Sequence, residues 1–195
     1  DIQHPEIEQG DGILWSQLLE EFYPQFNRPN ITCVDLASGT GFCSLQVLKY
    51  INKPGNKLYL VDIAEDMLKC SEKKINERYK EISASLFFKK GDIENLPFES
   101  GSVDFVVMNS SLHHLPNYGI CLKEIDRILR KGGLLILGHE PNRLFFKNRF
   151  VKLLIYLFSK IGGRYAMSDD ICNAVNKKLL DDMVVNKPLT KGKIL

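Results

Sequence analysis

The chain has 195 residues, of which 44% are hydrophobic and 26% charged, values typical of a single globular domain. Its 26 Lys and Arg residues against 24 Asp and Glu residues give a formal net charge of +2. This near balance excludes a broad polycationic surface, so we expect no nucleic-acid partner.

The five cysteines are odd in number, widely scattered and never at CxxC spacing. They predict neither a disulfide framework nor a zinc site, and we expect reduced, mostly buried thiols in a cytoplasmic protein. Residues 1–12 are polar and lack the apolar core of a signal peptide. Because the chain opens at Asp1 without Met, we interpret it as a fragment.

The first element is an N-terminal helical cap within residues 1–30. Trp15, Leu18, Leu19 and Phe22 recur at helical spacing, and Pro24 ends the pattern. Five short apolar runs follow, at residues 31–36, 58–61, 85–88, 103–108 and 134–137. They are mostly continuous rather than alternating, which is typical of strands buried on both faces.

Helical segments of crossover length separate several of these runs, at residues 42–51, 65–79 and 118–130. Lys131-Gly132-Gly133 is a typical helix stop for the last of them. The alternation predicts an α/β fold over residues 31–139, a doubly wound parallel sheet with helices on both faces.

A glycine-containing turn joins the first predicted strand to the next helix. Small residues at positions 37, 38, 39 and 41 let a ligand approach the backbone closely, although a tight turn without a ligand also fits. Asp62 lies 21 residues after Gly41, where a carboxylate can bind the ribose of an adenosine. Asp35 would repel a pyrophosphate and favour an ammonium or sulfonium. With Ser44 at the third glycine position, the loop suits a cationic adenosine ligand better than NAD.

Several motifs in order resemble the class I S-adenosylmethionine-dependent methyltransferases, especially the branch that methylates quinones and lipids. They span about residues 12–140 and are VDLASGTG at 34–41, VDI at 61–63, DML at 66–68, GDIENLPF at 91–98, FVVMNSSLHHL at 105–115, LKE at 122–124 and RKGG at 130–133. Each motif alone is weak, but their shared order and spacing are specific.

The resemblance implies S-adenosylmethionine as cofactor and a role for each matching position. The implied ligands are Asp35 with the backbone of Ala37, Ser38, Gly39 and Gly41 for the methionine moiety, Asp62 for the ribose, Ile63, Met67, Asp92 and Ile93 for the adenine, and Asn109 and Ser110 for the sulfonium end. Ala37 replaces the family's first glycine, and we expect this change to be tolerated at reduced affinity.

His113 and His114 follow the fourth predicted strand and are candidate catalytic bases for an acceptor that must lose a proton. Packing or helix capping is the alternative role for the pair, and His139 beside Glu140 is a further candidate. The histidines lack metal-ligand spacing, so we expect no metal. Residues 109–112 are not the N-P-P-Y motif of DNA and glutamine methylation, which favours a small-molecule acceptor.

Residues 143–164 carry six basic residues, no acidic residue and many large apolar side chains. They are too often interrupted by charge to span a bilayer. Two interpretations remain open: a lid over an amphiphilic acceptor with peripheral membrane contact, or a helix packed on the sheet.

Residues 171–184 predict another helix, but no convincing terminal strand hairpin follows within residues 140–195. We therefore expect an incomplete sheet with an exposed edge that favours homo-oligomers. The function indicated is methyl transfer to a small organic acceptor, with an amphiphilic acceptor as the narrower expectation. The alternatives are a non-catalytic relative that only binds, and an NAD-type oxidoreductase.

Overall fold

The computed structural model describes residues 5–140, and these form a five-stranded sheet with four α-helices. In chain order the elements are α1 (Pro5–Phe22), a 3-10 turn (Tyr23–Phe26), β1 (Thr32–Leu36), α2 (Phe42–Ile51), β2 (Lys57–Asp62), α3 (Glu65–Arg78), β3 (Ser85–Lys90), β4 (Val103–Asn109), a second 3-10 turn (Leu112–His114), α4 (Tyr118–Ile128) and β5 (Leu129–Gly138). All five predicted strands are present at the expected places.

The sheet is parallel throughout, in the order β3-β2-β1-β4-β5. The strand order reverses at β1, so β2 and β3 lie on one side of it and β4 and β5 on the other. The predicted doubly wound α/β fold is confirmed. In such sheets, ligands bind outside the carboxyl ends of the strands at the point of reversal, here between β1 and β4.

Two buried clusters fill the two faces of the sheet. One joins α1, α2 and α3 to residues such as Cys33, Leu58 and Val107. The other joins α4 and the β3–β4 loop to Val34, Val61 and Met108. Neighbouring residues of one strand thus serve opposite clusters, which explains why the strand sequences are continuously apolar.

Helix α1 belongs to the core rather than lying on it. Trp15 and Leu19 are 1% and 2% exposed, respectively, and both belong to the same buried cluster as the sheet residues. A Cβ at Gly138 would lie 2.5 Å from the Trp15 ring, so only glycine fits beneath the indole. The indole therefore reaches the carboxyl end of β5.

The boundary between α4 and β5 differs from the prediction. The helix ends at Ile128, and Leu129 already pairs with Val103 of β4. The pairing then jumps to Phe105 with Leu134, so residues 130–133 form an irregularity inside the strand. Gly132, with φ +76°, allows this irregularity rather than capping the helix.

The amino edge of the sheet holds a buried carboxylate with abundant partners. Asp104 is 4% exposed, and its Oδ1 accepts from the guanidinium groups of Arg28 and Arg130. Its Oδ2 accepts from the Thr32 N–H at 2.7 Å, at the start of β1. Two cations and one backbone donor thus neutralise Asp104.

A second ion pair fixes the loop between β3 and β4. On α4, Glu124 and Arg127 form two hydrogen bonds of 2.8 and 2.7 Å. Glu124 accepts from the Leu96 N–H, while Arg127 donates to the carbonyls of Leu96 and Phe98. The Arg127 and Leu96 bonds lower the pKa of Glu124 to about 2. The LKE motif therefore anchors this loop to α4.

Three of the four cysteines within the described range, Cys33, Cys43 and Cys121, are buried as predicted, whereas Cys70 is exposed. Burial raises the pKa of Cys33, and it raises that of Cys121 to about 11. The predictions for residues 143–164, the helix at 171–184 and the terminal hairpin lie outside the described residues. Between residues 5 and 140, no helix combines the length and apolarity needed to cross a membrane.

Candidate cofactor and catalytic site

The turn after β1 is held by its own backbone and by β2. The Ser38 N–H donates to the Val61 carbonyl at 3.1 Å, and the Gly41 N–H donates to the Ser38 carbonyl at 2.8 Å. Gly41 has φ +82°, and a Cβ there would lie 2.8 Å from the Ser71 Cβ on α3. Both the conformation and this close approach require glycine at position 41.

Asp62, at the end of β2, is tied to the same turn. Its Oδ2 accepts from the Gly39 N–H and its Oδ1 from the Ala64 N–H, both at 2.8 Å. The carboxylate is 8% exposed and connects the glycine turn to the start of α3. The structure thus brings Asp62, the residue predicted to bind the ribose, next to the loop predicted to bind the methionine moiety.

Asp35 lies deeper, at 1% exposure, on the neighbouring strand β1. The Ser44 hydroxyl donates to its Oδ2 at 2.6 Å. Burial raises the pKa of Asp35 to about 7, with a further increase from Asp62, while the Ser44 hydrogen bonds oppose the shift. Within residues 5–140, no Lys or Arg forms a salt bridge with this carboxylate.

Ser44 is a site residue that the sequence did not reveal. In the sequence, Ser44 stands out only because it occupies the position of the motif's third glycine. The sequence does contain a signal for the Ser44–Asp35 contact. Ser44 lies nine residues after Asp35 in the first turn of α2, and α2 begins directly after the loop.

Two positions in the loop carry unusual features. Ala37 has φ +50°, a left-handed conformation that glycine adopts far more readily. The adjacent Ser38 hydroxyl is buried, and its oxygen lacks a hydrogen-bond partner in the part of the chain that is described. An unsatisfied buried hydroxyl is costly, and it fits a loop that receives a polar ligand group.

The far side of the site contains exposed apolar side chains. Ile63 and Met67 are 72% and 38% exposed beside the buried Asp62. Asp92 and the buried Ile93 follow β3, and Asp92 Oδ1 accepts from the Glu94 N–H at 2.9 Å. Exposed apolar side chains next to carboxylates are suited to an adenine ring, which stacks on its faces and donates from its amino group.

The carboxyl end of β4 contributes Asn109 and Ser110. The Trp15 indole N–H donates to the Asn109 Oδ1 at 2.9 Å, which fixes the amide. Ser110 has φ +50°, and its N–H donates to the Gly138 carbonyl at 2.9 Å. Helix α1 therefore orients a predicted cofactor residue, a contact that sequence spacing does not indicate.

The two candidate bases lie in the 3-10 turn that follows β4. Their rings are 4.1 Å apart between centroids, and His113 Nδ1 lies 2.8 Å from Glu140 Oε2. Burial and the neighbouring His113 lower the pKa of His114. His139 is exposed and has φ +54°. Throughout the described range, no cluster of three or more His, Cys, Asp or Glu side chains could hold a metal ion.

The strand order distributes these residues along the carboxyl edge. From β3 to β4 there are three strand spacings of about 4.8 Å, roughly 14 Å in all. The β2–β3 end of this edge carries Asp62, Ile63, Met67, Asp92 and Ile93. The β1–β4 end carries Asp35, Asn109 and Ser110. The residues present therefore fit an extended adenosine ligand whose cationic group lies beside Asp35.

Comparisons with known proteins agree with this geometry. The family profile described as "Methyltransferase domain" matches residues 34–137, just over half of the chain. The demethylmenaquinone methyltransferase of Staphylococcus saprophyticus is 28% identical over 139 residues, covering 70% of this chain and 57% of the relative. That of Lactococcus lactis is 33% identical over 128 residues, covering 60% and 49%. The chain thus spans about half the length of these curated relatives.

Solved structures show the same fold. The SAM-dependent methyltransferase from Aquifex aeolicus superposes with a TM-score of 0.50 at 23% identity, over 60% of this chain and 61% of that chain. The CurJ carbon methyltransferase gives a TM-score of 0.58 at 20% identity, over 68% and 35%. At these identities the likeness supports the fold alone.

Proposed function

The chain belongs to the methyltransferase-domain family, and we propose that it transfers a methyl group from S-adenosylmethionine to a small organic acceptor. S-adenosylmethionine is the cofactor that family membership supports, and the resemblance noted in the sequence is confirmed. The observation that carries the proposal is Asp35, a buried carboxylate beside a glycine loop at the reversal of strand order, with which no Lys or Arg of residues 5–140 forms a salt bridge. This arrangement favours a cationic adenosine ligand over a pyrophosphate.

Different residues would bind different parts of the cofactor. Asp35 would face the cationic methionine end, with the backbone of Ala37, Ser38, Gly39 and Gly41 alongside it and the Ser38 hydroxyl as a further polar contact. Asp62 would accept from the ribose hydroxyls, and Asp92 from the adenine amino group. Ile63, Met67 and Ile93 would enclose the adenine ring. Asn109 and Ser110 would line the sulfonium end.

When bound, the cofactor supplies a methyl group on a sulfonium, which makes the transfer an in-line displacement. The chain's part is to align the acceptor, exclude water and accept a proton from acceptors that carry one. One of the two adjacent imidazoles, His113 or His114, would take that proton. Burial and the neighbouring His113 lower the pKa of His114, which favours the neutral ring that can accept a proton.

For the acceptor, we propose a hydroxylated quinone or a similar amphiphile. The support comes from the relatives, which are named demethylmenaquinone methyltransferases, and from residues 143–164, in which six basic residues are interspersed with apolar ones. Such a segment suits peripheral contact with an anionic membrane, where quinones reside. Cytoplasmic location and homo-oligomer formation are further parts of this proposal.

Binding and turnover test the proposal separately. Calorimetric titration should show binding of S-adenosylhomocysteine and none of NADH, and radiolabelled methyl should pass to a short-tailed demethylmenaquinol. Asp62→Ala should weaken S-adenosylhomocysteine binding roughly 10- to 100-fold. The matched control Asp66→Ala removes a carboxylate that is 96% exposed, and its binding should stay unchanged.

Each failure has its own meaning. Tight NADH binding without a response to S-adenosylhomocysteine would contradict the cofactor assignment. Binding without methyl transfer to any acceptor in a metabolite extract would indicate a non-catalytic relative. Transfer only to hydrophilic acceptors, with no co-sedimentation on anionic liposomes, would overturn the proposal of an amphiphilic acceptor.

A further inference from the structure

Glu140, directly after β5, binds the segment that carries the two histidines. Its Oε1 accepts from the N–H groups of Ser111 and Leu112 at 2.6 and 2.8 Å. Its Oε2 accepts from the His113 N–H at 3.2 Å and lies 2.8 Å from His113 Nδ1. The Glu140 side chain is 16% exposed and that of His113 is 21% exposed. One carboxylate therefore contacts three successive backbone donors and one imidazole.

These contacts determine which ring nitrogen of His113 carries the proton. A carboxylate that receives three backbone N–H bonds acts only as an acceptor. The 2.8 Å contact therefore requires Nδ1 to be the donor, and the lone pair of the neutral ring is then on Nε2. A backbone cap alone would need no imidazole at this distance.

We propose that Glu140 is a positioning residue that holds His113 as the Nδ1–H tautomer, so that Nε2 is the base for the acceptor. This inference rests on the proposed methyl transfer. The acceptor's X–H bond breaks, its proton goes to Nε2, and the electron pair left on the acceptor forms the bond to the methyl carbon. The bond from that carbon to sulfur breaks, and its electron pair stays on sulfur. His113 becomes an imidazolium beside Glu140 and later releases its proton to water.

The neighbouring titratable groups explain why the assignment falls on His113. The His114 ring contacts the His113 ring but forms no hydrogen bond with a carboxylate of residues 5–140, and burial lowers its pKa. His139 adjoins Glu140 in the chain and is exposed. The His113 ring lies against the Glu140 carboxylate, which can stabilise the imidazolium.

The tautomer can be measured without any acceptor. In wild-type protein with 15N-labelled histidine, two-dimensional NMR above the titration range should place His113 Nδ1 in the protonated range and Nε2 in the unprotonated range. Glu140→Gln keeps an oxygen for the backbone donors but offers the ring an N–H, so it should shift His113 toward the Nε2–H tautomer. A wild-type Nε2–H tautomer would overturn the proposal even if the variant failed to fold.

Kinetics then separate positioning from a purely structural role. His113→Ala should lower kcat by about 10²- to 10⁴-fold, and Glu140→Gln by about 10- to 100-fold, with S-adenosylhomocysteine affinity within about twofold of wild type. In the His113→Ala background, Glu140→Gln should cost less than about threefold. Glu77→Gln, on the exposed surface of α3, is the control and should leave kcat unchanged.

Additive losses in the double variant would overturn the proposal, because they would show that Glu140 does not act through His113. So would a fall in cofactor affinity parallel to the fall in kcat, since that indicates a collapsed loop. Failure of the proposed function is a different result: wild-type protein would then bind no S-adenosylhomocysteine, or would bind it and transfer no methyl group, whatever tautomer His113 adopts.

Discussion

Asp35 and Asp104 lie on neighbouring strands and are both buried, at 1% and 4% exposure, but their surroundings are opposite. Asp104, at the amino edge, receives two guanidinium groups and a backbone N–H. Asp35, toward the carboxyl edge, receives the hydroxyl of Ser44 and forms no salt bridge within the described range, and its pKa rises to about 7. A buried charge is normally compensated by the protein itself. The contrast indicates a structural role for Asp104, and it supports the proposal that the cationic end of the cofactor compensates Asp35.

The largest effect on stability should follow from removing Asp104, the carboxylate that the protein itself compensates. Asp104→Ala leaves Arg28 and Arg130 without their shared partner and the Thr32 N–H without an acceptor. We expect a loss of about 3 kcal/mol in the free energy of unfolding, measured by urea denaturation. The affinity of the folded variant for S-adenosylhomocysteine should match wild type. A stable variant with weakened binding would reverse the roles assigned to the two carboxylates.

Replacing Asp35 should have the opposite sign for stability. The folded-state pKa of about 7 exceeds the unfolded value of 3.8, so between these values the unfolded chain has released a proton that the folded chain retains. Raising the pH through this window therefore favours unfolding, and above pH 7 the full cost is present. The full shift corresponds to about 4 kcal/mol at pH 8. Asp35→Asn should recover roughly half of it, about 2 kcal/mol, because the asparagine amide N–H groups are themselves costly to bury, and it should gain little at pH 4. A variant that is less stable at pH 8 would contradict this account.

The smallest effect concerns the backbone beside Asp35. Ala37 has φ +50°, where glycine is less strained, so Ala37→Gly should stabilise the protein by about 1 kcal/mol in thermal denaturation. We expect S-adenosylhomocysteine to bind the variant at least as tightly, because the family loop carries glycine there. A destabilised Ala37→Gly variant would show that the Ala37 side chain makes contacts that outweigh the strain.

Sequence periodicity predicted the fold because each strand is short, apolar and followed by a recognisable turn. It also located the glycine loop and Asp62, since both belong to local motifs. It missed two contacts between residues that are distant in sequence. Trp15 and Asn109 are 94 residues apart, and His113 and Glu140 are 27 residues apart. It also extended α4 to residue 130, because helix-stop glycines in a strand irregularity resemble those of a helix end. Tertiary pairing, rather than local pattern, decides each of these points.

The pH dependence of S-adenosylmethionine affinity tests whether Asp35 recognises the cationic end of the cofactor. Because a bound sulfonium or ammonium favours the ionised carboxylate, calorimetry should show affinity rising by up to about tenfold per pH unit below pH 7 and levelling above it. Asp35→Asn should bind more weakly and lose this rise. Equal, pH-independent affinities in wild type and Asp35→Asn would contradict the account.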